Sequence, residues 1–263
     1  MSRKQMSNRK PDDPRTIRHS RLIWTLASVV IITLSIAAQA QAQHNFSRTY
    51  PARQNVRLDV TNRSGAITVT GWDRNEIKVT ASIESPAARV TPEVNDEGLV
   101  IDVVSANRGR GDVGSVNFNI FVPFDSTVDI ETRLGDIRVN DVQGQSVRAH
   151  VSSSGDIALV DIRSASVMAE STSGQIFFDG ELLAGGTYKF STVEGDINIR
   201  IPNNSDFRLS ATAPMSRRIM LGAFSNASLN FIGEGRKVVG NVGDGRASLT
   251  IVNQRGSISF LAR

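Results

Sequence analysis

A short phrase recurs along this chain: glycine, a small or acidic polar residue, then isoleucine. It is written "SGAITV" from Ser64, "LGDIRV" from Leu134, "SGDIALV" from Ser154, "SGQIFF" from Ser173, "EGDINI" from Glu194 and "RGSISF" from Arg255. Each copy also extends backward. Two apolar residues precede the glycine, separated by one position: Leu58 and Val60 before Gly65, Val128 and Ile130 before Gly135, Val167 and Ala169 before Gly174, Tyr188 and Phe190 before Gly195, and Leu249 and Ile251 before Gly256. The copy "VRAHVSSSG", with Val147, Ala149 and Val151 before Gly155, is one residue longer. A small polar residue (Asn62, Thr132, Ser171, Thr192 or Asn253) sits between apolar pair and glycine. A motif repeated this often along one chain marks a repeat architecture, and that restricts the fold more than composition can.

Each copy holds two short segments of period two, the periodicity of strands. Ile137 and Val139, Ile157 and Leu159, and Ile197 and Ile199 face one way, while Asp136, Asp156 and Asp196 face the other. The central glycines are 20, 19 and 21 residues apart, which suits one coil of a parallel β-solenoid. The expected fold is therefore all-β: a parallel β-helix of about 20-residue coils with an N-terminal β-sheet portion. Ile137, Ile157, Ile176 and Ile197 should stack as one buried column. Glycine suits the corner because positive φ costs it little, and the Asn/Thr/Ser column should satisfy backbone groups at the corner. Two longer gaps, Gly65 to Gly135 and Gly195 to Gly256, interrupt the period. Residues 76–84, 98–105 and 116–123 alternate as strands in the first, and 206–212 in the second. Residues 213–245 read as a loose Gly- and Asn-rich stretch. No helical periodicity follows residue 42, and the terminal copies are expected to cap the regular coils.

The first 42 residues are different in kind. Arg15, Arg18 and Arg21 precede the uncharged run Leu22–Ala38, followed by small residues at Ala38, Ala40 and Ala42. This is the three-part pattern of a secretory signal peptide, expected to be cut after Ala40 or Ala42. The alternative is an uncleaved anchor through residues 22–38, although a 17-residue helix would span only about 25 Å of a ~30 Å hydrocarbon core. The domains expected are thus 1–42, signal or anchor, and 43–263, the β-solenoid. The formal charge of +4 belongs to the leader. Residues 1–42 hold seven Lys/Arg and two Asp, so the other 221 residues hold 23 basic and 24 acidic side chains. Without excess positive charge the folded part is not expected to bind nucleic acid. The chain has no cysteine, which excludes disulfides and a lipidated Cys.

The opening "LDVTNRSGAITVTGWDRNEIKVTA", followed by recurring "GDI" coils, resembles the bacterial putative-adhesin domain family, exported β-solenoid proteins of unknown function. These proteins are similar to the head domains of autotransporter adhesins. The resemblance runs from Phe46 to Arg263 and implies an envelope location and surface contact. It supplies no residue roles. The single N-terminal hydrophobic segment departs from the autotransporter pattern, so direct display on an outer membrane is not expected.

The repeated aspartates are the obvious candidates for chemistry. Stacked one coil apart, Asp136 and Asp156 would have the carboxyl spacing of a retaining glycosidase, about 5–5.5 Å, and with Asp196 they could offer hard oxygen ligands to Ca²⁺. The simpler reading is that Asp after Gly accepts hydrogen bonds from corner amides. Gln175, Ala66 and Ser257 interrupt the column. His44 and His150 lack metal-ligand neighbours along the sequence. "GNVGDG" (240–245) looks like a glycine loop, but no strand-and-helix pair flanks it. Arg208, Arg217 and Arg218 could form an anionic-ligand patch or a solvated loop. The serines at 152–154 have no positioned base, and Phe177 is a large outward apolar residue that could mark a contact surface. No catalytic, cofactor or metal residue is therefore assigned. The function expected is a non-enzymatic exported binding or structural module of the cell envelope, meeting another envelope protein or a surface polysaccharide. The alternatives are a carbohydrate-active β-helix enzyme, for which sugar-stacking aromatics are scarce, and a membrane-anchored envelope sensor.

Overall fold

The computed structural model describes residues 44–263, apart from 86, 215–217 and 262. The expected leader, 1–42, lies outside the described residues. From β1 (His44–Pro51) the chain enters β2 (Arg57–Ser64), turns at Gly65 and continues in β3 (Ile67–Trp72). It then detours through β4 (Glu76–Ile83), β5 (Glu93–Val94), β6 (Gly98–Asp102), one helical turn (Val103–Ala106) and β7 (Val116–Pro123). Four successive pairs follow: β8 (Thr127–Leu134) with β9 (Ile137–Asn140), β10 (Ser146–Ser154) with β11 (Ile157–Ile162), β12 (Ser166–Ser173) with β13 (Ile176–Gly180), and β14 (Thr187–Glu194) with β15 (Ile197–Arg200). A second detour comprises β16 (Phe207–Thr212), β17 (Ile219–Met220), β18 (Leu229–Ile232) and β19 (Lys237–Val242). The last pair is β20 (Ala247–Arg255) with β21 (Ile258–Leu261).

The first strand of every pair joins one sheet and the second joins another. The two orders are β5-β6-β2-β8-β10-β12-β14-β20-β16-β19-β18 and β1-β4-β7-β3-β9-β11-β13-β15-β21-β17. Pairing between successive rungs is parallel and in register, so Ile67, Ile137, Ile157, Ile176, Ile197 and Ile258 form one continuous row. All six are buried. This is the predicted isoleucine column, and it is two rungs longer than predicted. The facing sheet supplies Leu58, Val128, Val147, Val167, Tyr188 and Leu249 in a second buried row. Volume is balanced between rungs. Ala149 and Ala169 are small, and the buried Phe178 ring packs against Phe190 of the next rung with centroids 5.0 Å apart.

Both detours end outside the rung they left. β6 and β7 pair with the outer sides of β2 and β3, and β4 then pairs antiparallel with β7 and β1. At the other end, β20 and β21 lie between β14/β15 and β16/β17. The terminal copies of the repeat are therefore interior rungs, contrary to the expectation that they cap the stack. The caps are built by the two long gaps instead. The loose stretch 213–245 contains the antiparallel pair β18/β19, which closes onto β16. The expected strand 98–105 stops at Asp102, because its carboxylate accepts the Ser105 amide at 2.8 Å and starts the helical turn. The extra residue of "VRAHVSSSG" is absorbed as a bulge between Val151 and Ser154 in both pairings of β10. Among the described residues no helix is long and apolar enough to cross a membrane.

Candidate functional site

The corner between the two strands of a rung is where the repeated polar residues meet. Inside it, the Asn/Thr/Ser column is buried and bonded to carbonyls that the ladder leaves free. Asn62 Nδ2 donates to the Val116 and Ser64 carbonyls, at 2.9 and 3.0 Å. Ser171 Oγ and Thr192 Oγ1 each donate to the corner glycine carbonyl of the preceding rung, at 3.1 Å. Asn253 Nδ2 does the same to Gly195 at 2.8 Å. At the bulged rung Val151 takes this place in the register, and it is apolar and buried.

Outside the corner the aspartates make a second ladder. Asp136 Oδ1 accepts the Asp156 amide at 2.9 Å, and Asp156 Oδ1 accepts the Gln175 amide at 2.7 Å. Asp196 Oδ1 accepts both the amide and the hydroxyl of Ser257, at 2.7 and 2.8 Å. Asn117 Oδ1 accepts the Ala66 amide at 2.8 Å, in the same direction along the stack. Asn117 escaped the sequence reading because it lies in the first detour, outside any copy of the motif. These acceptors serve amides that face outward at the corner and have no strand partner. Among the described residues no three His, Asp or Glu side chains gather as a metal site would require.

Two measurements follow. Asp156→Asn retains the acceptor oxygen and removes the charge, so stability should change by less than about 1 kcal/mol, and added Ca²⁺ should leave the Tm of both forms unchanged. A Ca²⁺-dependent rise in Tm confined to the parent protein would show a cation site instead. Asp196 behaves differently on acidification. The two hydrogen bonds from Ser257 hold its carboxyl below the ordinary 3.8, with a smaller contribution from Arg218. A depressed folded-state value means that the contribution is present above the unfolded value and is lost as pH falls through the folded one. Tm measured between about pH 6 and pH 2 should fall less steeply for Asp196→Asn than for the parent below about pH 4.

The remaining candidates are dispersed. His150 points outward from β10, and the register sets Glu131 and Glu170 on either side of it. Its Nδ1 lies 3.7 Å from Glu170 Oε2. Its acidic neighbours come from adjacent rungs, which is why none stands beside it along the sequence. His44 opens β1. Arg208 is on β16 of the 11-stranded sheet, whereas Arg218 precedes β17 of the other, so these two form no common patch. Arg217 lies outside the described residues. Residues 240–242 complete β19, and 243–246 connect it to β20. Phe177 lies under the Arg200 guanidinium, 5.4 Å from its ring centre, and so is partly covered. Arg200 also binds the buried carboxylate of Asp179 through Nε at 3.0 Å, and Arg263 approaches the other oxygen at 3.3 Å. This cluster is not legible along the chain, because its members come from three different rungs.

Two long sheets stacked from in-register rungs, with their repeated polar residues engaged at the corners, define a repeat-built all-β module. The chain belongs to the Toastrack family DUF4097, whose model matches residues 31–215. This bears out the resemblance read from the "GDI" coils. Among solved structures, the chain is similar to a putative cell adhesion protein from Clostridium sporogenes, at 12% identity and TM-score 0.43 over 83% of this chain and 99% of that one. A putative adhesin from Bacteroides fragilis matches at 10% identity and TM-score 0.42, over 84% and 98%. A putative lipid binding protein from Parabacteroides distasonis matches at 13% and 0.38, over 83% and 97%. No curated protein matches the chain.

Proposed function

We propose that this protein is an exported, non-enzymatic module of the bacterial cell envelope: a β-solenoid of about 20-residue coils (43–263) released from its leader (1–42), which presents its faces and loops to another envelope component. The observation that carries this reading is the corner ladder. The residues most suited to acid–base chemistry, Asp136, Asp156 and Asp196, each accept backbone amides of a neighbouring rung. Such carboxylates hold the rungs together, whereas a glycosidase needs one of its pair free as acid or nucleophile. The basic, apolar and small-residue pattern of the leader supports export.

Cell fractionation with N-terminal sequencing tests the location. The expected product begins at Gln41 or Gln43 and is recovered from the periplasm or the medium. Recovery of an intact Leu22–Ala38 segment in the membrane fraction would favour the anchored form. A hydrolysis screen over polysaccharides should give no activity that Asp156→Asn removes.

A further inference from the structure

The second detour opens a cleft at the corner opposite the aspartate ladder. Where β20 is inserted between β14 and β16, three connections meet: the loop after β13, the turn after β15 and the turn before β20. They border a solvent-open cleft of about 420 Å³, lined by Glu181, Leu182, Asn204, Ser205, Asp206 and Arg246 among others. This is within the range of ordinary small-ligand sites, roughly 300–1,000 Å³, and near its lower end.

The walls are fixed. The Leu183 amide donates to the hydroxyl of buried Tyr188 at 2.7 Å, and that hydroxyl donates to the Ser164 carbonyl at 3.0 Å. The Gly185 amide donates to the Arg246 carbonyl at 2.9 Å. Across the cleft the Ser205 amide and hydroxyl both donate to the Pro202 carbonyl, at 3.0 and 2.6 Å. Arg246 Nε and Nη2 both donate to Asp206 Oδ2. A cleft held this way loses little freedom when it is filled.

Its chemistry is mixed and its charges are compensated. Arg246 pairs with Asp206, and Arg163 pairs with Glu181 at 3.1 Å, so no cation is left over for an anionic ligand. Asn204 is exposed and offers both a donor and an acceptor, the carboxylates accept, and Arg246 donates. Leu182, Ala184 and Pro202 add small apolar surfaces. Interleaved donors and acceptors beside small apolar patches complement a neutral polyol with vicinal hydroxyls. We propose that this cleft is a carbohydrate-binding site that takes one neutral pyranose unit of a surface glycan.

The proposal rests on the envelope-module reading and names its partner. With no aromatic ring to stack on the sugar, affinity should be weak, about 1 mM. The test is titration of the ¹⁵N-labelled protein with the methyl glycosides of glucose, galactose, mannose and N-acetylglucosamine, followed by a soluble polysaccharide built from whichever sugar binds. Saturable shifts confined to residues 181–186, 202–206 and 246 are expected with at least one glycoside. Asn204→Ala should weaken binding about tenfold, and Ala184→Trp, which fills the cleft from an exposed loop position, should abolish it with Tm unchanged. Binding of both glycoside and polymer would identify a glycan unit as the ligand, and binding of the glycoside alone would overturn the assignment to a glycan. The proposal is overturned if none of the four glycosides gives a saturable shift, or if binding survives Ala184→Trp. Neither result bears on export, which the N-terminal sequence decides separately.

Discussion

Ile157→Asp should abolish the cooperative melt. The side chain lies at the centre of a six-residue apolar row, with Ile137 on one side and Ile176 on the other, and is 1% exposed. Burying isoleucine contributes roughly 1.5–3 kcal/mol, and a carboxylate placed there has no partner to offset its desolvation. The combined loss, roughly 5 kcal/mol or more, equals the whole stability of many domains. The neighbouring position supplies the control. Ala158 points out of the sheet and is half-buried, so Ala158→Asp should cost about 1 kcal/mol or less. Circular dichroism melts of the two variants separate them. Equal effects would mean that the inward and outward faces of β11 are assigned wrongly.

Gly195→Ala is the second large effect. Gly195 has φ +129°, and a Cβ there would lie 2.2 Å from the Gly174 carbonyl oxygen of the adjacent rung. That oxygen is backbone and already accepts the Thr192 hydroxyl of the same rung as Gly195, so relief requires the rungs to separate. Positive φ alone costs a non-glycine residue about 1–3 kcal/mol, and the crowding adds to it, giving a loss of roughly 3–5 kcal/mol. Gly185 separates the two causes. It has φ +77° but nothing within 4 Å of a Cβ, so Gly185→Ala should show the dihedral cost alone, about 1 kcal/mol. Denaturant midpoints for both variants check the difference.

The core row and the corners were legible because a parallel stack writes the same residue at each level. Once the glycines are aligned, Ile137, Ile157, Ile176 and Ile197 identify themselves, and so does the Asn/Thr/Ser column. The order of the rungs was not legible. Which strand sits beside β14 depends on tertiary pairing, and nothing local to Leu249 or Ile251 says that their rung is inserted and not added at the end. The β18/β19 hairpin was missed because "LNFI" is short and leaves three of its four residues exposed, which gives no alternating burial. The acidic neighbours of His150 could have been found. Glu131 and Glu170 stand four residues before their glycines and His150 stands five before its own, so the one-residue bulge hid a match that the repeat otherwise displays.

The inserted rung also determines the order in which this molecule can be assembled. A stacked repeat protein ordinarily grows by adding each new level to an existing edge. Here β16 and β17 emerge before β20 and β21, yet their positions are beyond them. A chain delivered from its N-terminal end must therefore hold its lid apart until the level beneath it arrives. The contacts that close it join Phe190 to Ile251, across 61 residues. Such closure between distant segments is slow compared with local pairing. Until it happens, β14 and β16 both present unpaired edges, the sites at which proteases and neighbouring chains take hold. The interval between release of β16 and docking of β20 therefore leaves two strand edges open, and topology sets the sequence distance that must be closed to cover them.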